Sequence, residues 1–205
     1  ALALGFCLAL PARAQNADFA SRVGPEVMSV VGPLLAEAAR DSLPLAALRA
    51  KVLEGVAKQV PGQRIGQAVA ELASDLRTVR GALRERLPEA PLRDPEIVAA
   101  AMAVRQGVPV DALHDVWQSR ADATALEVPI TVLGELVRRG VPVPEAANLM
   151  SHVVRTRVPM NVAAQIPGKL DGAQGPGEPP GAALGRALRE LNIPNPPGRG
   201  RKPGG

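Results

Sequence analysis

Two histidines and their polar neighbours are the residues from which this chain could build chemistry. Ser151 stands beside His152 and His114 beside Asp115, so a nucleophile with a base, and a base with a carboxylate, are present by type. The spacing works against both. Adjacent helical residues point in different directions, and side chains meet three or four positions apart. A zinc ion shared by His114 and His152 would need further carboxylate ligands, and the sequence marks none out. Glu71 and Asp75 are four apart, close enough for one carboxylate to raise the pKa of the other for acid–base work. With Glu54, they fall on or beside the polar faces of their helices. No Gly-x-Ser-x-Gly elbow, His-Glu-x-x-His pair, phosphate loop or dinucleotide glycine pattern occurs. The expectation is a protein that is not an enzyme, with no catalytic residue, metal ligand or cofactor. Candidates for contact with a partner are Trp117 and the basic residues Arg199, Arg201 and Lys202 near the end. Tryptophan is enriched at interface centres, although filling its own core is the competing use of Trp117.

These residues must be positioned by helices. Apolar residues make up 46% of the chain but aromatic ones only 1%, so the core has to be built from Leu, Val, Ile, Met and Ala. Such a core favours helix packed on helix over a sandwich of aromatic and β-branched strands. Of the 24 basic residues only Lys51, Lys58, Lys169 and Lys202 are lysines. That arginine bias, with abundant Ala, Gly and Pro, points to a GC-rich bacterial genome before it points to nucleic acid. Without interleaved aromatics the few charges of the tail give no specific nucleic-acid surface.

The beginning reads as an export signal. Residues 1–10 are an apolar run, and Ala12-Arg13-Ala14 supplies small residues at the −3 and −1 positions of a cleavage site before Gln15. The run is half the roughly 20 residues a membrane span requires. Residues 1–14 are thus expected to be part of a signal peptide, with a basic segment and initiator Met upstream, and the protein to be periplasmic or extracellular. Cys7 is the only cysteine, and Phe6 before it disfavours lipidation. The mature chain would then carry no disulfide and no thiolate site.

A helix-stop and restart cassette organises the rest. Arg105-Gln106-Gly107-Val108-Pro109 recurs as Arg138-Arg139-Gly140-Val141-Pro142, and in degenerate form as Lys58-Gln59-Val60-Pro61. Glycine supplies a left-handed residue after the helix, valine folds back, and proline prevents continuation. Gln59 in the glycine position costs roughly 1 kcal/mol if it must be left-handed. The breaks at Gly24-Pro25 and Gly32-Pro33 predict short helical pieces. A helix then opens at Pro44 with Leu45, Leu48, Val52 and Val56 on one face. A long helix over 63–86 carries Ile65, Val69, Leu72, Leu76, Val79 and Leu83 at heptad-like spacing. Two pairs follow, 95–106 with 111–118 and 129–139 with 144–156, with Asp94 expected as the N-cap of the first. The architecture is all-α: antiparallel helix pairs over 15–166, forming an irregular helical repeat or a multi-helix bundle, then a disordered tail. That tail, over 167–205, is expected to be flexible, rich in Gly and Pro, and basic. Within it, Leu184, Leu188 and Leu191 make one short amphipathic stripe.

The run from Leu43-Pro44-Leu45 through Lys51-Val52-Leu53-Glu54-Gly55-Val56-Ala57-Lys58 to Val60-Pro61-Gly62-Gln63-Arg64-Ile65 resembles one in uncharacterised exported helical bacterial proteins. The resemblance covers roughly 43–83 and implies export and a helical fold, but no activity. The function expected is that of a non-enzymatic interaction or scaffold module with an unidentified protein partner. The alternative is an envelope-associated binder whose basic tail contacts anionic lipid or cell-wall polymer.

Overall fold

A computed structural model describes residues 12–120 and 124–196, and all their regular structure is helical. The helices are α1 (Ala12–Val23), α2 (Pro25–Arg40), α3 (Leu45–Ala57), α4 (Gly62–Arg86), α5 (Asp94–Arg105) and α6 (Val110–Gln118). After them come α7 (Glu127–Arg138), α8 (Val143–Arg155), the single turn α9 (Met160–Ala163), α10 (Ile166–Ala173) and α11 (Pro180–Glu190). The apolar run before Pro11 lies outside the described residues, as do Arg199, Arg201 and Lys202.

Six of these helices end in the same way, and only three of the six ends carry the cassette seen in the sequence. The residue after the C-cap is left-handed in each: Ser42, Gln59, Gly107, Gly140, Arg157 and Asn192. The next residue is apolar, and its N–H donates to the carbonyl five residues back. The pairs are Leu43 to Ala38, Val60 to Gly55, Val108 to Ala103, Val141 to Leu136, Val158 to Val153 and Ile193 to Leu188, at 2.9–3.1 Å. Proline follows every time. The bond satisfies a carbonyl left open at the helix end, and the apolar residue closes over the last turn.

The chain divides into two compact units, Ala1–Asp75 and Leu76–Gly205, and the boundary falls inside α4. In the first unit α1, α2 and α3 pack on one another. Gly55 of α3 lies against Ile65 of α4, and Gly66 of α4 against Val30 of α2. Gly24 breaks the chain with φ 82°, but the Gly32-Pro33 step does not, and α2 runs through Pro33. Proline there removes one hydrogen bond. Pro33 and Ser29, whose carbonyl loses that bond, are both exposed, while Val31 and Ala38 are buried.

In the second unit α5 packs on α7 and α6 on α8, while α7 also packs on α8. Each hairpin thus stacks on the next, first helix against first and second against second. The stacking of α5 on α7 is close because Gly134 has no side chain. A Cβ there would stand 3.1 Å from the Cα of Ala103. α10 packs on α11 and touches α7, so the region from 167 is not a flexible tail throughout. Ile166, Leu170, Leu184 and Leu188 are buried. Its glycines hide the helices from a composition-based reading, yet four-residue apolar spacing is enough once a core lies beneath.

Candidate functional site

Among the described residues, Glu96 is the most deeply buried polar one. It is 1% exposed and accepts hydrogen bonds from the Arg93 N–H (3.3 Å), the Leu126 N–H (3.0 Å) and the Arg120 guanidinium (2.5 Å). The cap of α5 is therefore made by Glu96 folding back on Arg93, and Asp94 is the first helical residue rather than the N-cap. Arg120 is itself 8% exposed. The pair clamps the chain on both sides of 121–123, and nothing at the level of spacing distinguishes it from a glutamate at a helix start.

A second network ties three helices. Gln106 donates to Glu135 (3.0 Å), Arg138 to Glu135 (2.7 Å), and Arg139 to Glu135 and, in bidentate fashion, to Asp171 of α10 (2.8 and 3.0 Å). Hydrogen bonds from Arg138 and then Arg139 hold the Glu135 carboxyl down at about 2. The bidentate Arg139 contact likewise lowers the pKa of Asp171.

The candidate site is an open cleft of 770 Å³ between α6 and α8. Its floor is made of small residues, Ala112, Ser119, Ala147 and Ser151, each less than a tenth exposed. Its walls are two polar stripes at helical spacing: Asp111, Asp115 and Gln118 on α6, and Asn148 and Arg155 on α8. Burying a polar side chain is costly unless it is hydrogen-bonded. Even so, two of the three buried polar residues among those described, Ser119 and Ser151, lie in this floor. Ser119 donates its hydroxyl to the Asp115 carbonyl at 2.9 Å. Asp111 is engaged by Arg86 at 2.7 Å and Arg120 by Glu96. A smaller depression of 400 Å³ lies on the other side of α8, against α11, and shares Pro144 and Asn148 with the first.

His114 and Asp115 form no hydrogen-bonded dyad. His114 Nδ1 is 4.0 Å from the Asp115 carboxylate, too long for a hydrogen bond, and its Nε2 is 3.0 Å from Gln118 Nε2. Glu71 is exposed on α4. Among the described residues no three of His, Cys, Asp and Glu gather to hold a metal, and no helix is long and apolar enough to cross a membrane. Trp117 is placed in the core, 4% exposed, with its indole nitrogen buried and unpartnered. This is the core use of Trp117 that the sequence set against a contact role. No family model, curated protein or solved structure matches the chain.

Proposed function

We propose that this is an exported, non-enzymatic helical scaffold that holds a protein partner on the second-helix face of its stacked hairpins. The observation that carries the reading is the adjoining pair of depressions on either side of α8, lined by α6, α8 and α11. Hairpins stacked in register expose one continuous row of second helices, the type of surface on which helical repeats engage elongated partners. Export rests on the apolar run and the Ala12-Arg13-Ala14 step. Cleavage before Gln15 would shorten α1 by three residues and leave its buried Phe19 and Val23 in place.

The test is to tag the chain, crosslink it in its native cell envelope and identify what co-purifies. One stoichiometric protein partner crosslinked through α6, α8 or α11 supports the scaffold. Recovery of the chain without a protein partner rejects it. Loss of envelope association on removing 197–205 alone would favour the basic tail as the contact instead.

A further inference from the structure

We infer that the α6–α8 cleft binds a short extended polypeptide segment bearing one basic and one acidic side chain. This deepens the scaffold reading and rests on it. The first argument is shape. Four small residues make the floor, so the depression is cut into the surface, and its base is half alanine (Ala112, Ala147) and half serine (Ser119, Ser151). The stripes from Asp111 to Gln118 and from Asn148 to Arg155 each span about 10 Å at 1.5 Å per residue. An extended chain rises about 3.3 Å per residue, so roughly three residues lie along that length.

The second argument is the chemistry left over once internal partners are counted. Asp111 and Arg120 are occupied by Arg86 and Glu96. Asp115 on one wall has the His114 ring at 4.0 Å as its nearest ion-pair contact, and 68% of its side chain is exposed. Arg155 on the other wall is exposed. The cleft therefore offers one free carboxylate and one free guanidinium, with no net charge. Asn148, between the two depressions, presents both a donor and an acceptor, the complement of a peptide group. A phosphate-bearing ligand would call for surplus positive charge. A single-stranded nucleic acid would call for aromatic faces, which the lining lacks. A lipid chain would call for apolar walls.

The probes are dye-labelled, end-capped tetrapeptide pools titrated into the full chain by fluorescence anisotropy: Lys-x-x-Glu, Glu-x-x-Lys, Lys-x-x-Lys and Glu-x-x-Glu. The expected result is saturable binding of one mixed-charge pool, weakened at least tenfold by Asn148→Leu. The double variant Asp115→Lys, Arg155→Glu should transfer preference to the other mixed pool. Both of its substitutions are at exposed positions, so it remains informative should Asn148→Leu fail to fold. Binding of like-charged pools as strongly as mixed ones, or binding indifferent to the double variant, overturns the inference. A partner crosslinked in the envelope while no pool binds sinks the inference and leaves the scaffold standing. Variant-sensitive peptide binding without any envelope partner supports the inference and rejects the scaffold.

Discussion

Gly134 and Gly81 both lie inside helices, where glycine costs about 1 kcal/mol relative to alanine, but only one has a reason to be there. A Cβ on Gly134 would stand 2.0 Å from Gln106 Oε1 and 3.1 Å from the Ala103 Cα, whereas one on Gly81 would meet nothing within 4 Å. Gln106 is not free to step aside, because it donates to Glu135. Overpacking costs about 1–3 kcal/mol, so Gly134→Ala should destabilise by roughly 1–2 kcal/mol even after its gain in helix propensity. Gly81→Ala should stabilise by about 1 kcal/mol. Urea midpoints of the two variants should move in opposite directions; a stabilising Gly134→Ala would refute the close approach of α5 and α7. Glu135 supplies a pH signature at the same scale. Its carboxyl is held near 2 against an ordinary 4.5. The stability it contributes is therefore complete above the unfolded value, and is lost as pH falls from about 4.5 through 2. Glu135→Gln should cost roughly 1 kcal/mol at pH 7, allowing for partial solvent screening. That gap should close in acid, and a gap unchanged at pH 2.5 would remove the ion pairs from the account.

At the scale of elements, the helix ends show what spacing conveys and what it hides. Gly107 and Gly140 announce left-handed residues by their type, and both are left-handed. Gln59 adopts the same conformation despite its cost, and so do Ser42, Arg157 and Asn192. The signal these latter sites share with the glycine sites is the apolar-proline pair that follows, as in Leu43-Pro44, Val158-Pro159 and Ile193-Pro194. Fold-back of that apolar residue, with a hydrogen bond to the helix end, outweighs the strain at the residue before it. Arg157→Gly should release that strain and raise stability by about 1 kcal/mol or less, measured by chemical denaturation, while Gly140→Ala should lower it by a similar amount. The long stripe of α4 was legible for a related reason. Ile65, Val69, Leu72, Leu76, Val79 and Leu83 repeat over enough turns to define a face, and all are buried. The cleft was not legible. Asp115, Gln118, Asn148 and Arg155 each read as an ordinary solvated position until α6 is stacked on α8. Glu96 owes its role to Arg120 and Leu126, both distant in sequence.

At the scale of the whole molecule, the region beyond 166 decides how the two functional readings must be separated. By composition it is a linker with a basic end, and on that reading deleting all of it asks whether the tail holds the envelope. The fold makes that deletion a different experiment. Leu170, Leu184, Leu188 and Ile193 are buried, and Asp171 takes both hydrogen bonds of the Arg139 fork. Burying one such aliphatic side chain is worth roughly 1.5–3 kcal/mol, against a typical domain stability of about 5–15 kcal/mol. Removing 167–205 should therefore lower the urea midpoint steeply and strip one wall from the depression beside α8. Removing 197–205 leaves every described contact in place, so its midpoint should match that of the full chain. Equal midpoints for both deletions would mean that α10 and α11 contribute nothing to the second unit. With the expected difference, loss of envelope association in the longer deletion reports folding, and only the shorter deletion tests Arg199, Arg201 and Lys202 as a contact.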